Sequence, residues 1–137
     1  MIKSFVKLSV LFISGVILSA CQTAKLAENA ATLEVDFSWN ETKSCSPVSP
    51  AFTINNIPEG TDHLSFKMKD MNVPSYQHGG GTVKYAGSND IPAGAFGYRG
   101  PCPPAGSHNY KWTVQAVNAA GDTILGQGAA TKPFPPN

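Results

Sequence analysis

Period-two alternation of apolar and polar residues is the feature that most narrows what this chain can fold into. Leu33, Val35, Phe37 and Trp39 alternate with Glu34, Asp36 and Ser38. Leu64, Phe66 and Met68 alternate with Ser65, Lys67 and Lys69, and Tyr110, Trp112, Val114 and Ala116 with Lys111, Thr113 and Gln115. Successive side chains of a strand point to opposite faces, so each run predicts a strand with one buried face. Shorter strands are expected at Phe52–Ile54, Thr82–Tyr85 and Thr123–Leu125. Between them lie segments that regular structure does not tolerate: Ser46–Pro50 with two prolines, the turn Pro58-Glu59-Gly60, Gly79-Gly80-Gly81 and the proline-rich stretch Asn89–Gly106. No helical period of useful length follows Ala31. Residues 22–31 are small and polar, which suggests a tether with some helical character near Ala24–Ala30. The class is mainly β: a single sandwich with long Gly/Pro-rich loops.

The start of the chain is of a different kind. Lys3 and Lys7 precede the apolar run Leu8–Ala20, which ends at Cys21. That run is too short for a membrane span of about 20 residues and suits the apolar part of a secretory signal. Leu18-Ser19-Ala20-Cys21 is similar to the bacterial lipobox, in which the cysteine thiol receives diacylglycerol before cleavage; an ordinary signal peptide with a chance cysteine is the plainer alternative. The expected organisation is a signal peptide over 1–20, a lipidated tether over 21–31 and a β domain over 32–137. A lipid on Cys21 would anchor the domain in the bacterial cell envelope, and Gln22 resembles outer-membrane sorting, facing the periplasm, if the cell is Gram-negative. The chain has 137 residues and a net charge of +1. Such a near-neutral balance lacks the electrostatic footprint of nucleic-acid binding, and that class is excluded.

With Cys21 carrying lipid, Cys45 and Cys102 remain in an oxidising compartment, either bridged or as two buried thiols. A bridge would contribute about 4 kcal/mol in the chain-entropy model. Enzyme chemistry finds little support. No serine sits in a G-x-S-x-G elbow, no Gly-rich loop opens a helix, and His63, His78 and His108 lack zinc-ligand spacing. Cys102 beside His108 offers a nucleophile on paper, but its flanking prolines and available partner favour a structural cysteine. The reading is a non-enzyme without metal or cofactor.

Three segments, in order, resemble the phosphatidylethanolamine-binding protein (PEBP) family, in particular its bacterial Raf-kinase-inhibitor-like branch. Cys45-Ser46-Pro47, with Ile57-Pro58-Glu59-Gly60-Thr61, is similar to the family's cysteine, Ser-Pro and "VP-x-GT" run. Asp70-Met71-Asn72-Val73-Pro74, followed by His78, resembles its Asp-Pro-Asp-Ala-Pro box and His-Trp pair. Gly100-Pro101-Cys102-Pro103-Pro104, with Gly106 and His108-Asn109-Tyr110, resembles its Gly-Pro-Cys-Pro-Pro…Gly…His-Arg-Tyr signature. Met71 and Asn72 depart from the box, and no Trp follows His78. The resemblance implies a β-sandwich with an anion pocket at its loop ends, here lined by Asp70, His78, Pro101, Pro103, His108 and Tyr110, taking a small anion or phospholipid headgroup. As an alternative, the resemblance implies a domain that docks on other proteins as a kinase- or protease-inhibitor-like module. A structural envelope lipoprotein with a vestigial pocket is the third reading. Taken residue by residue, Asp70 also suits a turn cap, His63 an outward strand position and Gly79–Gly81 a flexible connector.

Overall fold

The computed structural model describes residues 23–136. The signal segment 1–20 and the lipid site Cys21 lie outside the described residues. Eight strands are formed: β1 (Lys25–Thr32), β2 (Glu34–Ser38), β3 (Ala51–Asn55), β4 (His63–Asp70), β5 (Gln77–Lys84), β6 (Asp90–Ile91), β7 (His108–Val117) and β8 (Thr123–Phe134). They make a five-stranded sheet in the order β1-β8-β7-β4-β5 and a three-stranded sheet in the order β2-β3-β6. All pairs are antiparallel except β1 with β8. The mainly-β sandwich expected from the alternation is the fold, and among the described residues there is no helix.

The alternating runs supply the two inner faces. Leu64, Phe66 and Met68 from β4 and Tyr110, Trp112, Val114 and Ala116 from β7 meet Phe37, Phe52 and Ile54 of the small sheet. The aromatic rings pack edge-on and tilted: Phe52 lies 4.8 Å from Phe66 and 5.2 Å from Trp112, and Phe96 from the long loop lies 4.9 Å from Phe66. Such offset geometries suit ring quadrupoles, and Trp112 is wholly buried among them.

Two expectations need correction. The segment near Ala24–Ala30 is neither helical nor, from Lys25, a tether: it is β1, paired with β8 from Lys25↔Thr123 to Thr32↔Gln127. Its alanines favour helix weakly, and pairing with the open side of β8 overrides that preference. β8 also runs to Phe134, well past Leu125. Its core-facing positions include Gly126, Gly128 and Ala130, which erase the apolar alternation that marks the other strands.

The long loops are zipped together. The Cys45 N–H donates to the Pro101 carbonyl (2.8 Å), the Tyr98 N–H to that of Pro47 (3.0 Å), and Val48 bridges Gly97. Any side chain at position 100 would strike the Ser46 carbonyl, 1.8 Å from where its Cβ would stand, so this crossing requires Gly100. A disulfide joins Cys45 to Cys102, 57 residues apart, and ties the two loops at one end of the sandwich.

Candidate functional site

Strand parity builds the site. Asp70 extends the inward series 64, 66, 68 to the last residue of β4, and His108 begins the inward series of β7. Asp70 is registered with Tyr110, so His108 lies on the diagonal from it, on the same face. The pair meets there: the His108 Nδ1–H donates to Asp70 Oδ2 at 2.7 Å. The other carboxylate oxygen, Oδ1, accepts the N–H groups of Asn72 (2.8 Å) and Val73 (3.0 Å), fixing the turn that leaves β4. Asp70 therefore caps a turn and orients an imidazole together.

His78 arrives by a different route. Uninterrupted pairing of β5 with β4 would place it opposite Lys69, facing solvent. The register shifts instead: Lys67 pairs with Gly80 and Lys69 with Gln77, so His78 and Gly79 both stand opposite Met68. This bulge turns His78 to the inner face, where it is buried. Gly79 has φ +76°, a left-handed conformation that a glycine adopts without steric cost. The glycine run is thus part of β5 and sets the side of His78, rather than serving as a loose connector. Any side chain at position 79, a tryptophan included, would be strained in this conformation.

The His78 Nδ1–H donates to the Arg99 carbonyl at 2.6 Å, and the Arg99 N–H donates back to the His78 carbonyl at 2.9 Å. Both imidazoles thus have Nδ1 committed as donor. Neither Nε2 has a protein partner among the described residues, and neither is closed off from solvent. Tyr110 packs between them, edge-on to His78 at 5.4 Å and stacked on His108 at 6.2 Å.

These groups line a cavity of about 390 Å³, with Val73, Tyr76, Cys102 and Pro104 completing its wall. Of the expected lining, the structure brings together Asp70, His78, His108 and Tyr110; it does not bring Pro101 and Pro103 to the cavity. Pro101 is buried behind the wall with its carbonyl on the Cys45 N–H, and its neighbour Cys102 is turned to the cavity in its place. Pro104, rather than Pro103, lines the cavity. Val73 and Tyr76 were not expected. Their signal was their place between Asp70 and His78, in a loop whose two ends both reach the site.

Burial pushes the Asp70 carboxyl up, but the hydrogen bonds from His108, Val73 and Asn72 outweigh it, and the net effect is to hold it below the usual carboxylate range. Asp70 is an anion with both oxygens already engaged inside the protein. Burial, reinforced by that anion, pushes the Tyr110 hydroxyl up to about 12. Asn72, where the family box has its second Asp, accepts the Asn109 N–H at 2.8 Å. A carboxylate at this position would accept the same bond and add a negative charge beside Asp70. Among the described residues no cluster of His, Cys, Asp and Glu has metal-holding geometry.

No family model matches this chain, and no curated protein matches it. Solved structures do. Escherichia coli YbcL, a member of the mammalian PEBP family, aligns with a TM-score of 0.54 at 18% identity, covering 76% of this chain and 98% of its own. CT736 of Chlamydia trachomatis, a PEBP homologue, aligns with a TM-score of 0.56 at 15% identity, covering 79% of this chain and 100% of its own. At such identities the likeness is one of fold.

Proposed function

We propose that this chain, which has the fold of the phosphatidylethanolamine-binding protein family, binds a small anion or a phospholipid headgroup in the cavity between His78, His108 and Tyr110, without catalysing a reaction. The observation that carries the reading is the matched state of the two imidazoles. Each has Nδ1 tied to a fixed acceptor and no protein partner for Nε2 among the described residues, and both side chains line the cavity. When protonated, each Nε2–H donates a charge-assisted hydrogen bond to an anion, and Asp70 balances the added charge on His108. The rings do not have to reorient on binding, because the Arg99 carbonyl and the Asp70 carboxylate already hold them. Tyr110, kept neutral, supplies a wall that does not repel the ligand. The apolar side of the cavity, Val73 and Pro104, suits the carbon atoms of a headgroup.

In this reading the protein is a bacterial envelope lipoprotein held by acyl chains on Cys21, which raises the effective concentration of envelope lipids at the pocket. Calorimetric titration with phosphate, phosphoethanolamine and acetate, at about pH 5.5 and about pH 7.5, tests it. Binding of at least one of the three is expected at one or both values. Absence of heat from all three at both values contradicts the reading.

A further inference from the structure

The outer face of the large sheet carries charge where the fold has no use for it. Lys69 and Lys111 are registered directly opposite each other across β4 and β7, with Lys67 two residues along on the same face. Like charges in that relation destabilise a sheet. Among the described residues none of these three lysines forms an ion pair, whereas Lys84 and Lys132 pair with Asp62 and Asp36. The lysines border a groove of about 340 Å³, whose other side is Pro74 and Tyr76. Tyr76 also lines the cavity, so groove and pocket mouth adjoin.

That shared loop is exposed and apolar. Met71, Val73 and Tyr76 are 46%, 42% and 49% exposed, and they stand among the few large apolar side chains so displayed. Their exposure is not slackness: Asp70 holds the Asn72 and Val73 N–H groups, the Met71 N–H donates to the Asn109 carbonyl, and the Tyr76 N–H to that of Val73. These bonds fix the turn, in which Val73 and Tyr76 both stay partly exposed and form part of the cavity wall, while Met71 lies outside it.

We propose that this corner docks on an anionic phospholipid bilayer, with Lys67, Lys69 and Lys111 against lipid phosphates and Met71, Val73 and Tyr76 in the interfacial layer. The inference extends the headgroup reading to the pocket's surroundings but does not require the pocket to be occupied. A bilayer fits better than a protein surface. Protein interfaces are depleted in lysine and rely on arginine and aromatic anchors seated in pockets. Three flexible ammonium groups without geometric complement instead suit a fluid layer of negative charge, and a tyrosine beside them suits the headgroup level. Each lysine near such a surface is worth about fivefold in affinity. With the corner so docked, the pocket mouth opens toward the headgroups.

The test uses the full chain on vesicles of phosphatidylcholine alone and on vesicles with one third phosphatidylglycerol. Lys3 and Lys7 are present in wild type and in the triple lysine variant below alike, so the comparison between those two isolates this corner from any N-terminal association. Reductive methylation read by mass spectrometry reports each lysine. Lys67, Lys69 and Lys111 should be modified several-fold more slowly on the anionic vesicles, with Lys43 unchanged and the protection lost in ~1 M NaCl, where screening acts within about 3 Å. Amide exchange over Met71–Tyr76 should slow with them, and should not slow in the triple variant Lys67→Gln, Lys69→Gln, Lys111→Gln. In His108→Ala, which disables the pocket of the proposed function, the protection should persist. Equal rates on both vesicles overturn the proposal, as does protection that appears only when envelope proteins are added. Loss of protection in His108→Ala overturns it too, since bilayer contact would then run through the pocket alone.

Discussion

Asp70 joins two jobs that substitution can separate. Asp70→Ala removes the acceptor for three N–H groups, those of Asn72, Val73 and the His108 ring. Asp70 is only 4% exposed, and at about 1 kcal/mol for each lost bond the net loss is about 3 kcal/mol. Asp70→Asn keeps an oxygen for the two backbone N–H groups and loses the charged partner of His108, which costs about 1 kcal/mol. The folded-state value of the Asp70 carboxyl lies below the unfolded one, so its contribution is complete above the ordinary carboxylate range and is lost as pH falls through the folded value. The stability gap between wild type and Asp70→Asn should therefore begin to shrink below about pH 4, the ordinary carboxylate range, and vanish only below the folded value. Asp36, Asp62 and Asp122 are also held low, but they titrate alike in both proteins and cancel in the difference. Urea unfolding followed by the fluorescence of Trp39 and Trp112 measures the gap, with the disulfide kept oxidised. A gap that persists unchanged to about pH 2, or an alanine variant no weaker than the asparagine one, would refute the assignment.

Gly79→Ala has open space for its methyl group but must adopt φ +76°, so a loss of about 1 kcal/mol is expected in the same urea assay, together with loss of anion binding as His78 leaves the inner face; unchanged binding would show that the bulge does not depend on the glycine. Tyr110 is held neutral up to about 12 and burial also pushes Tyr98 up, so tyrosinate absorbance should show two of the four tyrosines ionising only as the protein unfolds. Because the folded value is the higher one, the stability that neutral Tyr110 provides is present below about pH 10 and lost as pH rises toward about 12. Reduction of Cys45–Cys102 releases the long loops and should lower stability by about 4 kcal/mol, read from urea midpoints with and without reductant; coincident midpoints would argue that the zipped backbone holds the loops unaided.

How much of this is legible in the chain depends on how many faces each strand buries. β2, β4 and β7 bury one face, so Val35–Phe37, Leu64–Met68 and Tyr110–Ala116 show their period openly. The same period carries Asp70 and His108 onto the inner face without further information. β1 is an edge strand exposed along most of its length, with Leu26 56% exposed, so no apolar alternation marks it. β8 hides its period behind glycines and alanine on its buried side. His78 illustrates a subtler limit, because its side is decided by one extra residue in the pairing of β5 with β4, and nothing in Gln77–Gly81 states which residue of the partner strand it will face. The exchange of Pro101 and Pro103 for Cys102 and Pro104 is of the same kind: the loop is readable as a wall, but which residue faces inward is settled by its packing against Cys45 and Ser46.

The central claim is that two imidazoles, each held at Nδ1, offer Nε2 to an anion. Long-range proton–nitrogen NMR correlation of the histidine side chains reads this directly. The account predicts that neutral His78 and His108 carry their proton on Nδ1, and that phosphoethanolamine shifts the Nε2 resonances of both, leaving His63 unmoved at the far end of β4. A proton found on Nε2 in both free rings, or a titration that moves neither nitrogen, would contradict it.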